Sequence, residues 1–432
     1  MKTLEFDKVA HKKRMEWFNH ARFGMFIHWG AYAVPAKGEW YKTQARLTNE
    51  EYQKYIDQFD PTHYDPKKWA ALAKGAGMKY AIMTAKHHDG FCMFDSKLTD
   101  YKYAKRDLIK EYVQAFRDEG IKVWLYYSVI DWHHPEYPHF GDEKHPQREN
   151  KDFEGKAHDF DVYLDYMHGQ VKELCTNYGQ IDILWFDFSY DNMVGEKWRA
   201  SDLMKMVREL QPNVIVDNRL EDHFDCSLKS GSPKFYAGDF LSPEQIMPPE
   251  GLLDANGKRL PWEACITMND NWGYVAADKN FKSHSTLIKK LIECVSKGGN
   301  LLLNVGPDAR GRIPNESVNI LENIGRWMDK NGESIYGCGY GEIGKPELGR
   351  YTRNGNKIYF HIMENSVGPM PLVGIPKDKI EKIRMLADGS EVKNGNEDWR
   401  TKHFEDVTFL LVPNSPELPD PISTVVEVTL KD

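Results

Sequence analysis

The residues able to do chemistry in this chain sit where its apolar runs stop. Ile181-Asp182-Ile183-Leu184-Trp185-Phe186-Asp187 ends in a carboxylate, with Trp185 two residues earlier and therefore on the same side of an extended strand. Other runs end near His28, His87-His88-Asp89, Tyr127, Arg219, Asp239 and Glu263. Singly, each suits a hydrogen-bonded structural role; together they suit one of two chemistries. Metal-dependent hydrolysis would draw on His28, His87, His88 and Asp89. It is disfavoured, because neighbouring histidines on a strand point to opposite faces unless the strand has already broken, and neither H-x-H nor H-E-x-x-H spacing occurs. Glycoside hydrolysis needs a carboxylate nucleophile and a protonated carboxyl, about 5–5.5 Å apart when configuration is retained. Around them it needs polar groups for hydroxyls and aromatic faces for the apolar side of a sugar ring, and this set supplies both.

Such scattered residues meet only if the fold gathers strand ends on one rim. The apolar runs at 23–30, 80–86, 122–128, 181–187, 214–219, 235–240, 262–268 and 300–307 read as eight strands. Helical patterns fall between most of them, at 66–75, 108–118, 158–178, 197–210 and 284–296, with a last helix at 317–330. Asp65 reads as the N-cap of the helix at 66–75, with Pro66 in its first turn. This alternation predicts an α/β chain of (β/α)8-barrel type, whose C-terminal strand ends carry the chemistry. A doubly wound open sheet is the alternative, but no G-x-G-x-x-G turn follows any strand. The pattern then changes: runs flanking Asn354-Gly355, and others near 381–386, 407–412 and 424–430, predict an antiparallel β-sandwich. The expected division is a catalytic barrel at 1–334 and a β-sandwich at 335–432.

Composition narrows the partners. A chain of 432 residues that is 41% hydrophobic and 12% aromatic can bury a full core, so disorder is excluded. A net charge of -8 argues against nucleic acid as the main partner. Cys92, Cys175, Cys226, Cys265, Cys294 and Cys338 show no metal-site spacing and read as buried or free thiols. No apolar run is long enough to span a membrane. Met1–Asp7 lacks an apolar signal region, which leaves the compartment open: cytoplasmic, or periplasmic or secreted if a signal has been removed. Oligomeric state is equally open.

Several blocks together bring a family into view. Phe23-Gly24-Met25-Phe26-Ile27-His28-Trp29-Gly30, Gly38-Glu39-Trp40-Tyr41, Lys86-His87-His88-Asp89-Gly90-Phe91, Leu184-Trp185-Phe186-Asp187, Asp270-Asn271-Trp272-Gly273-Tyr274 and the stretch from Gly298 to Pro307 resemble, in order, glycoside hydrolase family 29, the retaining α-L-fucosidases. The resemblance implies an exo-acting enzyme that releases terminal α-L-fucose from a fucosylated glycan through a covalent fucosyl-enzyme, without metal or cofactor. It implies Asp187 as nucleophile, and His28, Glu39, Trp40, His87, His88, Tyr127, Trp185 and Arg219 as the sugar pocket. Glu39 and Trp40 come from the resemblance alone. The acid/base lies after the Arg219 strand, where members differ; Glu244 is the first choice, with Asp239 and Glu263 as alternatives and Glu250 expected to be a solvated loop residue. Two other readings stay open: a catalytically weak fucose-binding barrel, and a retaining glycosidase for a related sugar.

Overall fold

Asp7 caps the first helix, α1 (Lys8–Ala21), by accepting from the amides of Val9 and Ala10 at 2.9 Å. Arg22, in the left-handed conformation, ends it and turns the chain into β1 (Phe23–Ile27). The computed structural model describes residues 5–222, 225–413 and 417–431. After β1 come α2 (Tyr41–Gln44), α3 (Asn49–Asp57), α4 (Pro66–Gly75), β2 (Tyr80–Lys86), α5 (Leu108–Asp118) and β3 (Lys122–Ser128). Then follow α6 (Phe160–Asn177), β4 (Ile183–Asp187), α7 (Ala200–Leu210), β5 (Ile215–Val216), β6 (Glu263–Thr267), α8 (His284–Ser296), β7 (Asn300–Val305) and α9 (Asn315–Asn331). The Asp65 cap and Pro66 first turn of α4 are as expected, with Asp65 accepting from the Lys68 amide. In α5, Leu108, Ile109, Tyr112, Val113 and Phe116 fall on one buried face, each contributing roughly 1.5–3 kcal/mol by leaving water.

The parallel strands run in the order β5-β4-β3-β2-β1-β7-β6. The sheet curls until its edges are joined by the irregular segment 240–245, in which Phe240 pairs with Asp217, Leu241 with Trp262 and Glu244 with Cys265. This is the (β/α)8-type barrel with one correction. The run at 235–240 is not a strand, and isolated bridges from its last residue, Phe240, onward replace the sixth stave. Gly238 shows why: its φ is +79°, and a Cβ there would lie 2.1 Å from the Asp217 carbonyl oxygen. Inside the barrel, Tyr80 and Trp124 stack at 4.3 Å between ring centroids, above a glycine, Gly24, whose missing side chain leaves room for the Tyr80 ring. A second apolar shell, between strands and helices, includes Tyr127 and Phe186.

The rest is antiparallel. β8 (Gly349–Asn354) and β9 (Lys357–Ile362) form the expected hairpin, with Asn354 paired to Lys357, so the turn is Gly355-Asn356. β10 (Met370–Leu372), β11 (Ile380–Met385), β12 (Lys393–Asn394), β13 (Thr408–Leu411) and β14 (Thr424–Leu430) complete two sheets, β11-β14-β9-β8 and β10-β13-β12. They enclose their own core around Phe360, Met370, Leu410 and Val426. Tyr359 and Val425 instead pack into the barrel's outer shell. All six cysteines are buried and free. Among the described residues no helix is long and apolar enough to cross a membrane.

Candidate active site

At the C-terminal ends of the barrel strands lies a small pocket. Asp187 forms its floor at the tip of β4, 8% exposed. Its Oδ2 accepts from the Tyr126 hydroxyl at 2.7 Å, and its Oδ1 from Arg219 Nη1 at 2.8 Å. The Arg219 guanidinium lies over the Trp185 ring at 4.3 Å and is fixed from behind by Ser242, whose Oγ accepts from Nε at 3.0 Å. Its other arm, Nη2, donates to Glu244 Oε2 at 2.9 Å. Both carboxylates therefore meet one guanidinium, and together they hold the arginine well above its ordinary pKa range, though burial works the other way. The two acids differ in setting: the side chain of Asp187 is 12% exposed, that of Glu244 36%.

Imidazoles make up the opposite wall. β2 stops at Lys86 after a register shift against β3, so His87 and His88 leave the alternation and both line the pocket. The Ser128 hydroxyl donates to the Ile130 carbonyl at 2.9 Å and so must accept from His88 Nδ1–H at 2.7 Å. Burial keeps His88 neutral, leaving its Nε2 as an acceptor 4.0 Å from Asp187 Oδ2. His28 is likewise buried, its pKa lowered to about 3 by desolvation. His87 stacks on Tyr126 at 5.4 Å. Trp40 packs against His88 at 5.0 Å and Phe188 at 5.2 Å, and Glu39 Oε2 accepts from the Gly273 amide at 2.8 Å. Burial, reinforced by the charge of Glu244, raises the pKa of Glu39.

Three expected residues lie elsewhere. Tyr127 faces the outer shell, its hydroxyl bonded to Gln170 at 2.7 Å, and Tyr126 takes the place assigned to it. Asp239 is clamped beneath the barrel wall by Arg14 at 2.7 Å, Arg208 at 2.6 Å and the Val216 amide at 2.9 Å. Glu263 begins β6 at the far mouth of the barrel, where it accepts from the Tyr80 hydroxyl. Glu250 is exposed in a loop. Phe26, Tyr126, Phe188, Cys265 and Trp272 line the pocket without having been singled out as site residues. Of these, Phe26 lay in the Phe23–Gly30 block and Trp272 in the Asp270–Tyr274 block. The Trp272 indole Nε1 donates to Glu244 Oε1 at 3.1 Å. Phe188, next to the floor carboxylate, is held at φ +85°, a backbone state rare for an aromatic residue. Among the described residues no three His, Cys, Asp or Glu side chains group as a metal site.

The sequence profile described as Alpha-L-fucosidase matches residues 2–333. Alpha-L-fucosidase isoenzyme 1 from Paenibacillus thiaminolyticus is 56% identical, covering 98% of this chain and 100% of its own, with a TM-score of 0.95. A GH29 α-L-fucosidase of Bacteroides thetaiotaomicron, solved as a trapped covalent intermediate with 2-fluoro-fucosyl fluoride, is 31% identical, covers 100% of this chain and 98% of its own, and has a TM-score of 0.82. The tissue alpha-L-fucosidase of Bos taurus is 27% identical over 420 residues, 90% of this chain and 84% of its own. With two carboxylates on one arginine in a pocket walled by imidazole and indole, the chain belongs to the α-L-fucosidase family, glycoside hydrolase family 29, and is a glycoside hydrolase of α-L-fucosidase type.

Proposed function

We propose that the protein is an exo-acting, retaining α-L-fucosidase that removes terminal α-L-fucose from oligosaccharides or glycoconjugates through a covalent fucosyl-enzyme. The observation that carries this reading is the bridging of Asp187 and Glu244 by the two arms of Arg219. It brings a buried and a half-exposed carboxyl to one small pocket, as double displacement requires. Asp187, held in line by donors from Tyr126 and Arg219, attacks the anomeric carbon while the Glu244 carboxyl gives its proton to the departing oxygen. Glu244 then takes a proton from water, which attacks the same carbon and frees Asp187. In the first half-reaction the glycosidic oxygen takes the place of Arg219 at Glu244 Oε2.

His28, His87, His88, Glu39 and Arg219 bind the sugar hydroxyls. Phe26, Trp40, Trp185, Phe188 and Trp272 supply the aromatic surface that suits the 6-methyl group of fucose. The pocket's small size supports removal of a single terminal residue. We assign this chemistry to residues 1–334 and treat 335–432 as a module packed against the barrel. The test is mechanism-based labelling with 2-deoxy-2-fluoro-fucosyl fluoride followed by peptide mass analysis. Label on Asp187 is expected; label on another side chain, or none, overturns the reading. A panel of aryl glycosides run alongside separates fucose from related sugars.

A further inference from the structure

Asn304, in β7 within the Gly298–Pro307 block, is 2% exposed and holds two partners with one amide. Its Nδ2 donates to the Trp272 carbonyl at 2.7 Å, and its Oδ1 lies 2.7 Å from His28 Nδ1. A peptide carbonyl can only accept, so the amide has one possible orientation and Oδ1 must accept from a His28 Nδ1–H. His28 is neutral, which leaves its Nε2 with a lone pair. The second partner reaches the other side of the site, because the Trp272 indole donates to Glu244 Oε1 at 3.1 Å. Neighbouring backbone holds the same strap. A Cβ on Gly306 would lie 2.7 Å from the Trp272 carbonyl oxygen, Gly273 donates to Glu39, and Gly38 donates to the Tyr274 carbonyl at 3.1 Å.

We propose that Asn304 is the positioning residue joining the two halves of the reaction: its oxygen fixes His28 as an acceptor for a sugar hydroxyl, and its nitrogen holds Trp272 so that the indole stays on Glu244. The inference rests on the retaining α-L-fucosidase reading and extends it to a residue outside the sugar pocket. Its consequence is chemical. The indole N–H holds the Glu244 carboxyl in place for proton transfer to the departing oxygen. Losing that contact costs most on leaving groups that depend on proton donation, and so steepens the dependence of kcat/KM on leaving-group acidity.

The amide's two functions can be separated. Asn304→Asp keeps the acceptor for His28 and loses the donor to Trp272, Asn304→Leu loses both, and Trp272→Phe removes the indole N–H together with part of the ring surface. Each is assayed with aryl α-L-fucosides of graded leaving-group acidity and by competitive inhibition with L-fucose. For Asn304→Asp, inhibition by L-fucose stays within about threefold of wild type while kcat/KM on the poorest leaving group falls about tenfold. Its dependence on leaving-group acidity steepens, as does that of Trp272→Phe. Asn304→Leu adds a loss of about tenfold in L-fucose binding. Should the leucine variant not fold, the other two decide. The proposal is overturned if Asn304→Asp keeps the leaving-group dependence of wild type, or if the aspartate and leucine variants are equally impaired in L-fucose binding. A wild-type enzyme that hydrolyses no fucoside would sink the functional reading itself, a failure visible before any variant is made.

Discussion

The two sides of the pocket are built differently. Asp187, His28 and the His87-His88 pair stand at the tips of β4, β1 and β2, in a continuous parallel ladder. Glu244 and Trp272 stand on loops, and Glu244 is anchored only by an isolated bridge to Cys265 and by side-chain contacts. The difference matches the work. A nucleophile must hold one line of attack, which a packed strand tip provides, whereas an acid/base must meet the leaving group and then water, which favours a half-exposed position. The largest effect should therefore come from the rigid side. Asp187→Asn is expected to reduce kcat on aryl α-L-fucosides by at least ~10⁴-fold. Substantial remaining turnover would mean that the ladder does not carry the nucleophile.

On the loop side the expected loss depends on the substrate. For Glu244→Ala, kcat/KM should fall by ~10²–10⁴ for poor leaving groups and by less than about tenfold for activated ones. Azide should restore turnover, giving a fucosyl azide of retained configuration, because it needs no general base to attack the fucosyl-enzyme. Equal losses on activated and unactivated fucosides would remove the distinction between the two sides.

The same contrast explains what could be read from the residues alone. The apolar run ending in Asp187 has one sensible structure, a buried parallel strand with its carboxylate at the chemical rim. The His87-His88 pair was also legible, because the condition for both to face one pocket, a strand that has already stopped, is met after Lys86. Tyr127 was misplaced because residue type does not reveal parity. Only the register, with Tyr126 opposite Trp185 and Ser128 opposite Asp187, decides which tyrosine faces inward. In the loop-built half the strand signals themselves misled. Phe235-Tyr236-Ala237-Gly238 has strand-like residues, but backbone crowding at Gly238 breaks it, and Glu263 lies at the start of its strand rather than the end.

Asp239 tests that half from beneath. Burial disfavours its charge, but Arg208 and Arg14 outweigh burial and hold its carboxyl below the ordinary range. A carboxyl with a depressed folded pKa stabilises the protein above its unfolded pKa, and that contribution is lost as pH falls through the folded value. Asp239→Asn, which strands two guanidiniums, should cost ~3 kcal/mol in urea unfolding at neutral pH. It should also flatten the acid side of the stability–pH curve. Rate losses graded by leaving group in this variant would reinstate Asp239 as a candidate acid.

The smallest effects come from two neighbouring tyrosines, which test the ladder side by parity. Tyr126→Phe removes one of the two donors that Arg219 and Tyr126 supply to Asp187, its hydroxyl at 2.7 Å. A charge-assisted hydrogen bond of this kind corresponds to a fall of about 10–100-fold in kcat. Tyr127→Phe removes only the contact with Gln170 on the outer face, so kcat and KM should stay at wild-type values while stability falls by ~1 kcal/mol. One residue along a strand is thus the whole distance between chemistry and packing. If Tyr127→Phe were the variant that lost turnover, the register of β3 against β4 would be wrong, and the floor of the pocket would have to be rebuilt with it.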